Sequence, residues 1–146
     1  MSNQKIYFYV EMEGAELDIV PLYSVFSKCS CYGSPVGDTY SFYNDEGDKI
    51  TRCRKEAYFQ ARFEYNTTSE DPLNEIVCEF LNTHCYEGAP LRDIMTKNRV
   101  SVWCSIASDA PKIVMTLGQS AMRKLLEVGL DLRVTVMQNG HVIAHA

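Results

Sequence analysis

Basic residues are in short supply in this chain, and so are most of the groups that carry chemistry. Lys and Arg number 14 against 19 Asp and Glu, for a net charge of −5 and a pI near 5.2. That balance argues against a phosphate-binding surface, because affinity for nucleic acid rests on Lys and Arg neutralising phosphates. A basic protein partner suits it better, and no direct nucleic-acid contact is expected. No apolar run reaches the ~18 residues that a bilayer span requires. The leading MSNQKIYFYVEMEG stretch turns acidic too early for a signal peptide. The expectation is a cytoplasmic protein with no membrane contact. There is no Walker loop, no GxGxxG and no HExxH, so nucleotide and zinc-protease chemistries lack their required groups.

Histidine is scarce as well, with three in 146 residues. Nucleophilic catalysis needs Cys or Ser beside a rigidly mounted His. His84 closes a helix on its apolar side, where the negative end of the helix dipole accounts for it without catalysis. His141 and His145 lie in the terminal tail. No catalytic residue is expected, and the chain reads as something other than an enzyme. The six cysteines (Cys29, Cys31, Cys53, Cys78, Cys85, Cys104) form an even set, but a cytosolic start favours free thiols. Cys29-Ser-Cys31 is the one close spacing and has no second pair at zinc-finger distance. No metal and no cofactor follow from it. Asn66-Thr67-Thr68 matches a glycosylation acceptor, which means nothing without secretion.

What is present is strong periodicity. Ile6, Phe8, Val10 and Met12 alternate with polar or aromatic residues, the period of a half-buried strand. Leu22, Val25 and Phe26 fall at helical spacing from about residue 20, with Pro21 in the first turn. Residues 29–38 are rich in turn formers and read as an exposed loop. Thr39 to Tyr43 and Lys49 to Arg54 flank Asn44-Asp-Glu-Gly-Asp48, the pattern of a hairpin. With the alternating run Ala57 to Tyr65 they suggest a meander of three strands. Asp71-Pro72 reads as cap and first turn of a helix bearing Leu73, Ile76, Val77, Phe80 and Leu81 on one face. A short helix from Ala89-Pro90 to about Asn98 turns Leu91, Ile94 and Met95 inward.

A strand from Arg99 to Ala107 follows, with Cys104 in the core. Then come a turn at Asp109-Ala-Pro111, a short strand from Lys112 to Thr116, and a helix from Ser120 to Val128 with Ala121, Met122, Leu125 and Leu126 inward. Gly129 is the left-handed cap, and Leu130, Leu132, Val134 and Val136 form the last strand before an Asn139-Gly140 turn. The fold class is α+β, a mainly antiparallel sheet with helices packed on one face, in a single two-layer domain over 1–146.

Carboxylates gather at Glu11, Glu13, Glu16 and Asp18, at Asp45, Glu46 and Asp48, and at Glu70, Asp71 and Glu75. They suit either metal or glycosidase chemistry or, more simply, solvated edges and helix first turns. Tyr40, Phe42, Tyr43, Tyr58, Phe59, Phe63 and Tyr65 fall in adjacent strands, so one parity is core and the other an exposed patch of the kind enriched where proteins bind each other.

In this order, Glu13-Gly14, the helix from Glu16 to Phe26, Pro35-Val36-Gly37-Asp38 and an aromatic strand precede Val102-Trp103 and Ile113 to Leu117. Met122 to Leu126, Gly129 and the strand from Leu130 to Val136 complete the series. Together these resemble a bacterial family of small proteins catalogued as domain of unknown function 4279. Tyr58 stands where that family's pattern has Trp, and the cysteine-rich loop at 29–31 also departs from it. The resemblance implies an intracellular bacterial protein of the immunity type, found beside polymorphic toxins. A cognate basic, nuclease-type toxin domain is then the partner, neutralised by occlusion. Asp38, Tyr40, Tyr43, Asp45, Glu46 and Asp48 become the contact residues, because they share a hairpin whose loop can enter a cleft. The alternatives are an enzyme or a small-ligand or metal-binding protein using an acidic cluster, and a self-associating adaptor; a homodimer fits the last.

Overall fold

The computed structural model describes residues 4–67, 71–108, 114–138 and 141–145. Its centre is β1 (Gln4–Gly14), whose alternation turns Ile6, Phe8, Val10 and Met12 into the core with no exposed surface. Antiparallel partners flank it on both sides, β5 (Ala57–Thr67) on one and β6 (Arg99–Ser108) on the other. β2 (Ser30–Ser34) borders β5, while β7 (Leu132–Gln138) runs parallel to β6 and is bordered by β8 (His141–His145). The order β2-β5-β1-β6-β7-β8 makes one six-stranded sheet. Among the described residues β3 (Thr39–Tyr43) and β4 (Lys49–Cys53) pair only with each other, as a separate two-stranded ribbon.

Among the described residues four helices supply the second layer: α1 (Val20–Val25), α2 (Leu73–His84), α3 (Pro90–Lys97) and α4 (Gln119–Val128). Their buried side chains join one hydrophobic cluster with the inward residues of the sheet. Phe80 of α2 stacks 4.5 Å from Phe8 and 5.6 Å from Phe63, and Phe26, just past α1, lies 6.0 Å from Phe59. Aromatic pairs at such separations add to the burial that drives the layers together. The opposite face, with Tyr7, Tyr9, Glu11, Gln60 and Trp103, carries no helix from the described residues. The fold is thus α+β, as the periodicities predict. Among the described residues no helix is long and apolar enough to cross a membrane.

Several local expectations are overturned. Residues 30–34 are a strand, because the sheet's edge accepts turn-prone Cys-Tyr-Gly where only one neighbour must be satisfied. The three-strand meander does not form: β5 gives its two edges to β1 and β2, leaving β3 and β4 apart. Asp71 does not cap α2, which has no side-chain cap; its Oδ1 instead accepts the amide of Thr116 at 2.8 Å. Asn74 Oδ1 likewise accepts the amide of Gly118 at 2.7 Å. These two bonds hold residues 114–118 as irregular backbone where a strand from Lys112 was expected, residues 112–113 lying outside the described set. Met122 and Leu126 face solvent, Leu126 at 82% exposure, since α4 buries only a narrow stripe through Ala121 and Leu125. Val25 is also exposed. β8 stands where a tail was expected, while the turns at 109–111 and 139–140 fall outside the described residues. Gly129 does end α4, at φ 80°, with its amide on the carbonyls of Leu125 and Leu126.

Candidate functional site

The β3–β4 ribbon stands off the main sheet with nearly every residue exposed. Its turn is built by Asn44. The Asn44 Oδ1 accepts the amides of Glu46 at 3.0 Å and Asp48 at 2.8 Å, while backbone bonds from Asn44 to Asp48 and from Gly47 to Asn44 close the loop. Gly47 sits at φ 84°, a region that costs a side-chain-bearing residue ~1 kcal/mol or more. One short amide side chain therefore fixes the backbone on which Asp45, Glu46 and Asp48 are presented. Among the described residues none of these three carboxylates has a cationic partner within ion-pairing distance.

The register divides the ribbon into two faces. Residues paired across antiparallel strands share a face, so Tyr40, Phe42, Ile50 and Arg52 lie on one side, with Thr39, Ser41, Tyr43, Lys49 and Thr51 on the other. On the first face Arg52 lies 5.3 Å over the ring of Phe42, and Arg54 lies 4.7 Å over Tyr40 and 4.5 Å over Tyr58 of the main sheet. Arg54 Nε also donates to Ser34 Oγ at 2.9 Å, and Ser34 Oγ to Asp38 Oδ2 at 3.2 Å. On the second face Ser41 and Thr51 bond through their hydroxyls at 2.9 Å, and Tyr43 is 74% exposed.

The six residues singled out from sequence all lie on this hairpin or its base, yet they do not form one patch. Asp45, Glu46 and Asp48 share the tip. Tyr43 borders it on one face, Tyr40 lies on the other beneath Arg54, and Asp38 is at the base, receiving Ser34. The hairpin is not acidic as a whole either. Between residues 38 and 55, Asp38, Asp45, Glu46 and Asp48 are matched by Lys49, Arg52, Arg54 and Lys55. Lys49 stands at the tip end opposite Tyr43, and the other three cations collect in a groove between ribbon and sheet, lined by Tyr40, Arg52, Arg54, Lys55 and Arg99 together with Glu13 and Glu56. Arg99 is spent on those two carboxylates, whereas among the described residues Arg52, Arg54 and Lys55 make no direct ion pair. Sequence reading missed this groove because its parts come from four separate segments. The basic run Arg52, Arg54, Lys55 beside Tyr40 and Phe42 was the available signal.

The carboxylates at the end of β1 do not converge. Glu11 accepts from Gln60 Nε2 at 3.1 Å, Glu13 pairs with Arg99, and Asp18 accepts the amide of Val20 at 3.2 Å. Tyr58, which also receives Gln60, is pushed above the usual phenol range by burial and by Glu11, with Arg54 opposing. Among the described residues no three His, Cys, Asp or Glu side chains gather as a metal site. The Cys29 thiol is pushed up to about 11 by burial and the proximity of Cys31, and burial raises Cys31 too. The Cys31 thiol donates to the Phe26 carbonyl at 3.2 Å. Both are protonated near neutrality and poor nucleophiles. His84 is the last residue of α2, packed 4.8 Å from Phe63 and 5.4 Å from Phe80, and burial lowers its pKa.

Fold and site together define an α+β sandwich that carries a projecting, preorganised hairpin. No protein-family model, no curated protein and no solved structure matches the chain.

Proposed function

We propose that the protein belongs to the family it resembles, domain of unknown function 4279, and acts in the bacterial cytoplasm as an immunity protein rather than an enzyme. In this reading it neutralises a basic, nuclease-type toxin by seating the hairpin tip in the toxin's cleft. The observation that carries the proposal is the Asn44-ordered tip, with three carboxylates that make no ion pair among the described residues, held out on a ribbon exposed on both faces. A rigid tip loses little conformational freedom on docking, and its charge steers a basic partner toward it. Asp45, Glu46, Asp48 and Tyr43 are the contacts; Tyr40 and Asp38 support the ribbon's base and inner face.

Affinity capture of the tagged protein, co-expressed with the products of its neighbouring genes, tests the proposal. Stoichiometric recovery of a basic domain, with association slowed at least ~10-fold at low salt by D45K/E46K, is the expected result. A captured partner whose association rate ignores that double reversal would remove the tip from the interface, and recovery of no partner would count against the immunity reading.

A further inference from the structure

Two sets of charge that make no ion pair among the described residues lie on the same ribbon and cannot meet within one molecule. The tip carboxylates of Asp45, Glu46 and Asp48 outnumber the one cation beside them, Lys49, at one end, and Arg52, Arg54 and Lys55 stand toward the other, with strands of five residues between. Such strands are ~17 Å long and rigidly paired, so a tip cannot fold back into its own groove. Nor are the Tyr40 ring in the groove and the Phe42 and Tyr58 rings beside it open platforms for nucleic-acid bases. Tyr40 and Tyr58 already hold Arg54, and Phe42 lies against both Arg52 and Tyr40. What these rings leave open are the donor edges of guanidinium groups, which match carboxylates.

We propose that the cationic groove is a docking site for the acidic tip of a second copy of this chain. Two hairpins laid side by side and antiparallel bring each tip to the other's groove, so both contacts form at once around a two-fold axis. Tyr43 and the Ser41–Thr51 face remain outside the charge contact. The interface is small and built on exposed charge, so the dimer is weak and salt-sensitive. This inference goes beyond the immunity reading and stands without it. It also predicts competition, since a foreign partner that takes the tip displaces the second copy.

Charge exchange between copies tests it. The first variant, D45K/E46K, reverses the tip. The second, R52E/K55E, reverses the groove while leaving Arg54, which ties the ribbon to the sheet. Mass is measured by sedimentation equilibrium over a concentration series between ~0.02 M and ~0.5 M salt. Wild type should rise toward twice the monomer mass at low salt and fall back at high salt, and each variant alone should remain monomeric. An equimolar mixture should regain the dimer, because each reversed surface then faces its complement. Circular dichroism establishes that the variants are folded; should R52E/K55E fail to fold, R52E alone takes its place. Wild type that stays monomeric at low salt and high concentration would overturn the proposal, as would a dimer indifferent to both reversals or folded variants whose mixture stays monomeric. None of these outcomes bears on capture of a foreign basic partner.

Discussion

The guanidinium of Arg54 lies 4.5 Å from the ring centre of Tyr58, and through that contact the hairpin is tied to the main sheet. Arg54 also closes the ribbon's base: its amide donates to the Asp38 carbonyl at 2.7 Å and its carbonyl accepts the Gly37 amide at 2.9 Å. The side chain adds two ring contacts, each worth ~0.5–1 kcal/mol, and a hydrogen bond of ~1 kcal/mol. Arg54→Met should therefore loosen the ribbon by ~1–3 kcal/mol. Amide hydrogen exchange should quicken across residues 39–53 while the amides of β1 hold. Unchanged exchange there would mean that the ribbon's own ladder is sufficient.

Asn44 has the parallel role at the tip. Asn44→Ala removes the acceptor of two amides, so exchange at Glu46 and Asp48 should rise ~10-fold or more, with little change in the global melting temperature. Asn44→Asp keeps an acceptor and should retain most of the protection. Equal loss in both variants would show that the side-chain oxygen is not what orders the loop.

His84 predicts a pH dependence with a definite sign. Its pKa is lowered from the ordinary 6.5 by burial beside Phe26, Phe63 and Phe80. The unfolded chain therefore binds a proton more readily than the folded one. The neutral ring's contribution is complete above pH 6.5, declines as pH falls through 6.5 toward the folded value, and levels off below it. Urea titrations of wild type and His84→Phe from pH 8 to 5 should diverge in that window, with wild type losing more. Parallel curves would remove His84 as the source.

Gly14 ends β1 where the Asn98 side chain passes over it, and an added Cβ would collide with Asn98 Oδ1. Asn98 Nδ2 is bonded to the Ile94 carbonyl at 3.1 Å, so it has little freedom to withdraw. Gly14→Ala should cost ~1–3 kcal/mol, and Gly14→Ala with Asn98→Ala should recover part of it. A neutral Gly14→Ala would show that the α3–β6 junction can shift.

Sequence periodicity disclosed β1, β5, β6, β7 and α2 because each buries one full face against a neighbour, which forces the alternation or the i, i+3, i+4 stripe. It failed at β2, where Ser34 is the one buried residue and an edge demands no pattern. It failed at Met122 and Leu126 because an apolar stripe does not say how much of its width a neighbour covers. The meander error came from the rule that strands near in sequence pair in space; here β1 and β2 claim both edges of β5. The tip trio was legible as a turn of acidic residues. The groove was not, since Tyr40 and Tyr58 become neighbours only through Arg54, and that contact depends on where the ribbon leaves the sheet.

The central position of β1 carries a consequence for how the protein is made. β1 has both its partners far downstream in the chain, Gln4 facing Thr67 on one side and Ser108 on the other. Until residue 57 and beyond has been translated, Ile6, Phe8, Val10 and Met12 have no sheet to join, and until β6 follows, one edge stays open. The nascent chain therefore exposes these four core side chains until its partner strands have been made. Sheet formation by such distant pairing is slow, and the apolar face and open edge it leaves meanwhile are prone to aggregation until β6 has joined.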